Sequence, residues 1–516
     1  MASEHRTLLF IQVFLVVAPA YFFFGYNQSG FSTILNNADL VSHFPQIDTI
    51  NTQGTQEASN STKKGTVNAS FQLGALLGSL SCSFLGDRLG RRKTIFISAL
   101  IATIGLALEC STFALEQLVI GRFIIGFSVG LISVIVPVWQ AECSSARNRG
   151  RQVTTTGLFM AFGFVLASWV NYGFSKVATP FIQWRIPLVI SVIFPILMCL
   201  SVFQVPESPR WLVRCNCLQE AASALALLKG LSPDDSEVQS ELNGIQLSLE
   251  TTDDSSLLDI FCAKDDSRLL DRLVLCLLIQ FFQQMCGGIL IALYTTTIFQ
   301  HNLHLGGDIP KILAATCLTW KFLCSFLSFA AIDRLGRRVV FITSGTGMAV
   351  CMGVMAITSS FPTSNKAASI VSAVTIFMFN VFYPIGFLAG NFLYCTEIAP
   401  ARLRIAMASL STANHWLWNF IVVMVTPVAL TTISWKYYIV FTVVAACIPV
   451  TVFFFFPETM NRNLELLDNI FRDAPSIWDI VGMARRLPQG DTLEAEAELQ
   501  EERKGTEVET KHTEAV

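Results

Sequence analysis

The sequence predicts an all-α membrane protein with twelve transmembrane helices in two six-helix bundles. Only 14% of its 516 residues are charged and 52% are hydrophobic, whereas roughly a quarter of the residues of a soluble domain carry a charge. About twelve stretches approach the roughly 20 apolar residues that a spanning helix needs. Charged motifs also recur in the second half of the chain at near-constant spacing, which indicates a duplicated unit.

The apolar stretches define the predicted spans in chain order. They are Leu8 to Tyr26, Thr66 to Leu85, Thr94 to Ser111, Leu118 to Trp139, Val153 to Phe174, Trp184 to Phe203, Leu273 to Phe299, Ile312 to Ala331, Val339 to Thr358, Ala368 to Tyr394, Ala406 to Leu430 and Tyr437 to Phe456. The first stretch lacks a small-residue cleavage site and is followed by further spans, which favours a transmembrane helix over a signal peptide.

Basic residues are concentrated in alternate loops, a distribution typical of cytoplasmic loops. They are Arg88, Arg91, Arg92 and Lys93, Arg147, Arg149 and Arg151, Arg334, Arg337 and Arg338, and Arg402 and Arg404. Both termini are therefore expected in the cytoplasm of a plasma-membrane protein. The outer loop from Asn36 to Gly65 contains the sequon Asn60-Ser61-Thr62, so Asn60 is a candidate glycosylation site.

Loop lengths divide the chain into four predicted segments. Residues 1–205 form the N-terminal bundle, 206–270 a cytoplasmic loop with short helices, 271–460 the C-terminal bundle, and 461–516 a partly disordered cytoplasmic tail. In the loop, Leu218 to Lys229 has helical periodicity, and Ser236 to Ile245 continues it after a helix-start signal. Beyond Phe471 the tail turns acidic, which favours disorder there.

Three pairs of charged motifs follow corresponding apolar stretches in the two halves. Their acidic residues are Asp87 and Asp333, Glu142 and Glu397, and Glu207 and Glu458, which are separated by 246, 255 and 251 positions. Because the three offsets are nearly equal, the sequence predicts a duplicated six-helix unit.

All of these motifs fall at the predicted cytoplasmic ends of even-numbered spans. Glycine-containing turns there bring arginines beside acids, and such ion pairs hold helices together while remaining breakable. The alternative is that the basic residues only fix topology, which accounts for the arginines but not for the repeated acids. We therefore expect a cytoplasmic gate formed by Asp87, Arg88, Arg91, Arg92, Glu142, Arg149, Glu207, Asp333, Arg334, Arg337, Arg338, Glu397, Arg404 and Glu458.

The motif set resembles that of the sugar porter family of major facilitator transporters, most closely the fungal members. The resemblance runs from about Leu8 to Phe471. It includes the paired loops Gly86-Asp87-Arg88-Leu89-Gly90-Arg91-Arg92 and Asp333-Arg334-Leu335-Gly336-Arg337-Arg338, the segments Pro206-Glu207-Ser208-Pro209-Arg210-Trp211-Leu212 and Pro457-Glu458-Thr459, and the shorter Gly121-Arg122 and Phe282-Gln283-Gln284. It implies the major facilitator fold, in which two bundles related by a pseudo-twofold axis along the membrane normal alternately expose a central site.

A sugar taken out of water needs a hydrogen bond for each hydroxyl. Gln280, Gln283 and Gln284 lie on one face of the predicted seventh helix, and the last two match family positions implied in sugar contact. The alternative is that they join neighbouring helices. Elsewhere the family's amides, a glutamate and a Pro-x-Pro-Trp segment are replaced, at Gly157, Ile289, Pro384 and Ala389-Gly390-Asn391-Phe392.

Proton-driven members of the family resemble one another in an Asp of helix 1 that lies near an Arg of helix 4. Here Asn27 takes the place of that Asp and cannot titrate, while Arg122 keeps its charge. No other carboxylate is predicted deep in a span, since Glu109 and Glu116 flank an outer loop. The resemblance therefore implies facilitated diffusion, with Asn27 and Arg122 as candidate solute contacts.

Two further polar residues interrupt apolar stretches. Lys321 lies near the middle of the eighth stretch, where an ammonium is costly and is expected to face the central cavity or a partner. With Arg122 it would suit a carboxylate solute; alternatively it bonds backbone carbonyls or a neutral polyol. His415 is read as a packed residue more readily than as a proton relay, and its neighbour Trp416 is a candidate solute contact.

The sequence thus predicts a carrier of a small polar solute, a sugar or polyol, by alternating access. The alternatives are an importer or exporter of an organic acid, sugar acid or specialised metabolite, proton-linked through His415, and a non-transporting nutrient receptor, which the short tail disfavours. We find no nucleophile-base pair, metal cluster or phosphate loop, so neither an enzyme nor a cofactor is expected. The net charge of −3 gives no sign of a nucleic-acid partner, and the lipid-embedded chain is expected to work as a monomer.

Overall fold

The computed structural model describes residues 11–486, with gaps at 36, 50–51, 53, 145, 178, 180–181, 252–267, 304–307, 362–364, 389, 401–402, 461, 463–466, 468–469 and 473. We number the transmembrane helices 1 to 12. They are Ile11–Val17 with Ala18–Ile34 (helix 1), Thr55–Leu89 (2), Arg91–Cys110 (3), Leu115–Glu142 (4), Ala146–Phe174 (5), Ile182–Ile190 with Ile193–Ser201 (6), Leu269–Met285 with Gly288–Leu303 (7), Ile309–Leu335 (8), Arg337–Ser360 (9), Lys366–Phe387 with Gly390–Ile398 (10), Arg404–Thr432 (11) and Lys436–Phe455 (12).

The helices form the predicted twelve-helix membrane protein. In the described part of the chain, eleven are long and apolar enough to cross a membrane. Helix 1, which begins as a π-helix and continues as an α-helix, completes the twelve. Helix 2 begins at Thr55, eleven residues before the predicted start, so much of the predicted outer loop is helical. Gly54, with φ of 68°, starts this helix in a conformation that favours glycine.

Three spans that were predicted as continuous are interrupted. Helix 7 breaks at Gly287, whose φ of 94° does not fit an α-helix. Helix 6 breaks before Pro195, because proline has no N–H to donate to the carbonyl of Ser191, and the N–H of Phe194 donates to that carbonyl instead at 3.4 Å. Helix 10 breaks between Phe387 and Gly390, although the prolines of the family segment are replaced there.

Glycines allow close packing within the N-terminal bundle. A Cβ on Gly74 would lie 2.1 Å from the carbonyl oxygen of Phe123, and one on Gly130 would lie 2.1 Å from that of Ala75, so helices 2 and 4 touch backbone to backbone. Gly25 of helix 1 approaches the carbonyl of Met160 in helix 5 in the same way. Small residues are the usual means by which helices associate in lipid, where van der Waals packing drives assembly.

The two bundles meet along helices 2 and 11 and along helices 5 and 8. A hydrogen bond of 3.0 Å runs from Trp169 Nε1 to Thr319 Oγ1, and the rings of Phe162 and Phe322 lie 5.3 Å apart. The end at which the Gly90 and Gly336 turns lie is called the motif side below. The far end, where helices 5 and 7 finish and helix 8 begins, is called the opposite side.

Short helices lie outside the membrane-spanning set. The segments Pro209–Arg214, Leu218–Lys229 and Ser236–Thr251 pack on one another around Leu225 and Val238. The middle one has the predicted bounds, and Gly230 ends it with a φ of 70°. In the tail, a helix at Ile480–Arg486 buries Ile480, so the disorder expected beyond Phe471 is wrong for this part. The acidic residues Glu494 to Glu502 lie outside the described residues.

Candidate functional site

The first motif cluster comprises Arg91, Glu142, Glu207 and Ser208. Arg91 Nε and Nη2 donate to the two carboxylate oxygens of Glu142 at 2.8 and 2.9 Å, and Ser208 Oγ donates to the same carboxylate at 2.6 Å. The carboxylate of Glu207 accepts from the backbone N–H groups of Arg91 and Arg92 at 3.0 and 3.1 Å. Glu207 thereby satisfies donors at the N-terminus of helix 3 that have no partner within the helix.

The second motif cluster, formed by Arg337, Glu397, Glu458 and Thr459, repeats these contacts. Arg337 Nε and Nη2 donate to Glu397 at 3.3 and 3.0 Å, and Thr459 Oγ1 donates to the same carboxylate at 2.7 Å. Glu458 accepts from the backbone N–H groups of Arg337 and Arg338 at 3.0 and 3.1 Å. The duplication that the sequence predicts therefore extends to individual hydrogen bonds.

One glycine in each cluster makes the tight turn possible. Gly90 and Gly336 have φ of 84° and 86°, a region that L-residues with a Cβ disfavour. A Cβ on Gly90 would lie 2.8 Å from Glu207 Oε2, and one on Gly336 would lie 2.6 Å from Glu458 Oε2. These positions therefore need glycine both for backbone conformation and for space.

Further contacts connect the first cluster to the other half and to the loop. Arg404 Nη1 of helix 11 lies 3.8 Å from Glu142 Oε1, so this pair crosses between the bundles. Arg214 lies 2.7 Å from Asp87 Oδ1, which ties the short loop helix to the end of helix 2. Burial raises the pKa of Glu207 above its usual value, while hydrogen bonds from the N–H groups of Ser208 and Arg92 act in the opposite direction.

The remaining predicted gate residues lie at the margins of the clusters. Arg92 and Arg338 occupy equivalent positions, and the Nη2 atom of each donates to a backbone carbonyl, at 2.6 and 2.7 Å. The side chains of Arg88 and Arg334 are exposed. Those of Arg149 and Asp333 lie outside the described residues.

A hydrogen-bonded polar chain lies between the bundles, near the middle of the helices. It is formed by Asn391, Gln280, His415, Gln284, Gln283 and Tyr383, all buried. In this order the contacts measure 2.6, 3.2, 3.0, 2.7 and 3.1 Å. A His415 with its proton on Nδ1 donates to Gln280 and accepts at Nε2 from Gln284, so this histidine is packed and hydrogen-bonded, the interpretation favoured from the sequence.

The polar chain borders a small central pocket. Gln283, Gln284, His415 and Tyr383 line it together with Lys321, and Phe24, Gln28, Met160, Phe164, Gly288, Ile289, Ala292 and Phe392 complete the wall. Gln284 Oε1 is buried and makes no hydrogen bond within the described chain. A Cβ on Gly288 would lie 2.1 Å from the Tyr383 ring, so glycine at this position leaves room for the tyrosine beside the pocket. Gln280 serves as an interhelical link behind it.

Lys321 reaches the central pocket from helix 8 and is almost fully buried. Within the described chain its ammonium has no hydrogen-bond or ion-pair partner. It lies instead over the rings of Phe164 and Tyr383, with Nζ 4.8 and 4.6 Å from their centroids. Cation–π contact stabilises a desolvated ammonium without using its three N–H donors, which leaves them available to a solute.

Three candidate solute contacts lie away from this pocket. Trp416 points toward the N-terminal bundle, where Nε1 donates to Ser133 Oγ at 3.3 Å and its ring packs 5.3 Å from that of Phe24. Asn27 donates to the carbonyl of Phe23 at 3.0 Å. Arg122 is enclosed within the N-terminal bundle and does not line the pocket with Lys321, which disfavours the alternative in which the two cations together face the solute.

Glu109 flanks the loop between helices 3 and 4 as expected, one residue before the end of helix 3, but its side chain is fully buried. Its Oε1 lies 3.9 Å from Arg122 Nη1. The expectation of facilitated diffusion rested on Asn27, which cannot titrate, and on the lack of another carboxylate deep in a span. Glu109 is buried although it lies near the end of its helix. The burial of Glu109 could not be predicted from the sequence, because the residue lies near the end of an apolar stretch, where a charged side chain normally reaches solvent.

A second, larger cavity of about 140 Å³ opens on the opposite side. Its polar lining comes from both bundles and includes Ser29, Thr33, Ser168, Asn171, Thr295 and Lys311. Asn171 is buried and its Oδ1 has no hydrogen-bond partner in the described chain. Ala292 lines both this vestibule and the central pocket, so the two cavities are adjacent along the bundle axis.

The candidate glycosylation site is enclosed. Asn60 is 4% exposed, and its Nδ2 donates to the carbonyl of Asp48 at 2.8 Å. A glycan on this nitrogen requires the side chain to leave that position, so the geometry disfavours the modification that the sequon suggests.

Two residues of the polar chain, Asn391 and Tyr383, were not predicted as functional residues from the sequence. Asn391 was noted only as part of a replaced segment, and Tyr383 was not singled out. Asn391 supplies an amide to the polar chain from helix 10. Its position one residue before Phe392, in a segment that departs from the family pattern, was the available signal.

Comparison with known proteins agrees with this architecture. The family profile described as sugar (and other) transporter matches residues 13–471. The MFS-type transporter oryC of Aspergillus oryzae is 32% identical over 487 residues, which cover 92% of this chain and 88% of that protein. The sugar transporter STL1 of Saccharomyces cerevisiae is 30% identical over 94% of this chain and 86% of its own length.

A solved structure has the same fold. The proton:xylose symporter XylE of E. coli, bound to 6-bromo-6-deoxy-D-glucose, aligns with a TM-score of 0.79 at 22% identity and covers 90% of this chain and 100% of its own. With the profile match over most of the sequence, these similarities place the chain in the sugar (and other) transporter family of the major facilitator superfamily, as a multi-pass integral membrane transporter.

Proposed function

We propose that this transporter carries a neutral polyhydroxylated solute, a sugar or a polyol, through the central pocket by alternating access. The observation that carries the proposal is the polar chain beside an apolar wall. Its amide donors are already engaged, whereas the Gln284 Oε1 acceptor is unpaired. A solute hydroxyl supplies the missing donor, and the cost of a buried unsatisfied acceptor, about 1–3 kcal/mol, is then removed on binding.

The relatives support the same solute class. One is named a sugar transporter, another a high-affinity fructose transporter of Schizosaccharomyces pombe, at 28% identity. In this chain the vestibule of hydroxyl and amide side chains adjoins the pocket at Ala292, and we propose it as the route of the solute from the opposite side.

The motif clusters are proposed as the gate on the other side. Glu142 receives hydrogen bonds from its own bundle and the charge of Arg404 from the other, so separation of the bundles at this end breaks that pair. Because basic loops favour the cytoplasm, we assign the motif side and both termini to the cytoplasm, and the protein to the plasma membrane as a working monomer.

Solute counterflow tests the proposal. Purified protein in liposomes is preloaded with unlabelled glucose, xylitol or galacturonate, without a pH gradient, and uptake of the labelled solute is measured. We expect glucose or xylitol to exchange. Exchange of galacturonate alone, with both neutral solutes at the level of empty liposomes, would contradict the neutral-solute proposal.

Lys321 favours a second candidate, a solute with a carboxylate. Its unpaired ammonium in the pocket is suited to a charge-assisted hydrogen bond. The discriminating variant is Lys321→Asn, which keeps a donor and removes the charge. If an anion is the solute, its uptake falls about tenfold or more, whereas a neutral sugar loses no more than about threefold. Equal losses for galacturonate and glucose would exclude charge recognition.

A further inference from the structure

A buried ion pair inside the N-terminal bundle is not used by the central pocket or by the motif clusters. Glu109 of helix 3 and Arg122 of helix 4 are both fully buried. A Cβ on the neighbouring Gly121 would lie 3.1 Å from the backbone nitrogen of Glu109. Glycine at that position lets helices 3 and 4 approach closely enough for the two charged groups to share one space.

The pair is held far more loosely than the motif pairs. Its closest N···O distance is 3.9 Å, and within the described chain neither carboxylate oxygen of Glu109 accepts a hydrogen bond. Glu142, in contrast, accepts two hydrogen bonds from Arg91 and one from Ser208. Protonation of Glu109 therefore breaks no hydrogen bond, and it removes a desolvated charge from the protein interior.

Arg122 connects this carboxyl group to the wall of the central pocket. Its Nη1 donates to the carbonyl oxygen of Asn27 in helix 1 at 3.2 Å. Gln28, which follows Asn27, lines the pocket, and so does Phe24, three positions before Asn27. A change in the charge that faces Arg122 is thus transmitted to helix 1 through one hydrogen bond.

The surroundings of Glu109 contain few other groups able to titrate. Helix 6 contributes Arg185, whose Nη2 donates to the carbonyl of Thr112 at 3.0 Å. Helix 1 contributes Tyr26, whose hydroxyl donates to the carbonyl of Pro187 at 2.7 Å. Cys110 adjoins Glu109 in sequence, and Glu116 at the start of helix 4 is exposed.

The positive side of the pair is shielded by aromatic rings. The guanidinium of Arg122 lies 4.1 Å from the centroid of Phe31 and 4.6 Å from that of Phe71. These contacts stabilise the cation when its counter-charge is lost. The enclosure is therefore suited to hold Arg122 charged with Glu109 either ionised or neutral.

We propose that Glu109 is a proton-binding site that couples solute movement to a proton, on helix 3 instead of the helix 1 position occupied by Asn27. The inference rests on the proposed carrier function. One proton from the solution on one side binds a Glu109 carboxylate oxygen, Arg122 loses its counter-charge, and helix 1 shifts through the hydrogen bond that joins Arg122 to the Asn27 carbonyl. In the other orientation the proton leaves to the second solution, and the ion pair forms again.

The test measures gradient-driven accumulation apart from exchange. Liposomes with wild-type protein are given an acidic outside, and labelled glucose and xylitol are followed together with the internal pH, reported by entrapped pyranine. For one proton per solute, accumulation approaches about tenfold per pH unit, and addition of solute acidifies the interior. Glu109→Gln abolishes both effects, Glu109→Asp retains them in part, and the exposed control Glu116→Gln behaves as wild type.

The outcomes separate this inference from the carrier function. Counterflow in the wild-type protein without any accumulation under the gradient would overturn proton coupling while leaving the carrier intact. Accumulation that persists in Glu109→Gln would overturn the assignment to Glu109. Absence of counterflow for every solute tested, with a folded protein, would instead contradict the carrier function itself.

Discussion

The motif side and the membrane centre differ in how closely the two halves match. At the motif side each half repeats the other, with an Arg–Glu pair at 2.8 Å in the first cluster and 3.0 Å in the second. At the centre the match is lost, since every residue of the polar chain comes from the C-terminal half. The halves are alike at the motif side and differ at the centre, where we propose that the solute binds.

The backbone shows the same contrast. Helix 7, which corresponds to helix 1 in the repeat, breaks at Gly287 and admits the ring of Tyr383 beside Gly288. Helix 1 continues without a break past Gly25, which packs against the carbonyl of Met160. The N-terminal half thus meets the pocket with an unbroken helix 1, and the C-terminal half meets it with an interrupted helix 7 and polar side chains.

The largest expected effect comes from loss of the paired carboxylates. Glu142→Gln removes the acidic group that Arg91 contacts most closely, and Glu397→Gln does the same for Arg337. Removal of one partner of a buried pair costs about 3–5 kcal/mol, so both variants should lose stability by similar amounts in thermal unfolding in detergent. A large loss in one with no measurable loss in the other would break the equivalence of the two clusters.

A smaller effect is expected at the two motif turns. Gly90→Ala and Gly336→Ala each place a Cβ in a positive-φ turn against a glutamate oxygen. Strain of this kind costs about 1–3 kcal/mol, and a matched decrease in the unfolding temperature should follow. Gly173→Ala is a suitable control because nothing lies within 4 Å of its added Cβ. The account is wrong if the control and the turn variants lose the same stability.

The motif side could be predicted from the sequence because its charged residues recur at regular spacing. Asp or Glu at a fixed distance from Arg, repeated about 250 positions later, identifies the residues of the clusters, but it does not tell that Arg91 pairs with Glu142 and Arg337 with Glu397. The centre is less predictable. Gln283 and Gln284, which were expected at the site from their residue type and helical face, line the central pocket, whereas Trp416 does not. The direction of Trp416 could not be predicted, because the faces of a helix that is apolar on all sides look alike in sequence.

Burial at the ends of helices was the other source of error. Glu109 was expected to flank a loop and Asn60 to lie in one, where polar side chains normally meet water, and tertiary packing encloses both. Breaks such as that at Gly287 depend on a backbone angle which the glycine permits but does not require.

The smallest effect is expected at Trp416. Trp416→Phe removes the hydrogen bond to Ser133 and keeps most of the aromatic packing, so stability should fall by about 1 kcal/mol. The half-saturating concentration in counterflow should stay within about twofold of wild type. A tenfold rise in the half-saturating concentration would indicate that Trp416 contacts the solute, which would contradict its position outside the pocket.

The division between a solute-binding centre and a switching motif side is tested most directly by concentration-dependent counterflow. The solute is whichever of glucose and xylitol the wild-type protein exchanges faster. The variants are Gln283→Ala and Ser208→Ala. We predict that Gln283→Ala raises the half-saturating concentration about fivefold or more, with a maximal rate close to wild type. Ser208→Ala should alter the maximal rate and leave the half-saturating concentration unchanged. The reverse pattern would contradict the account.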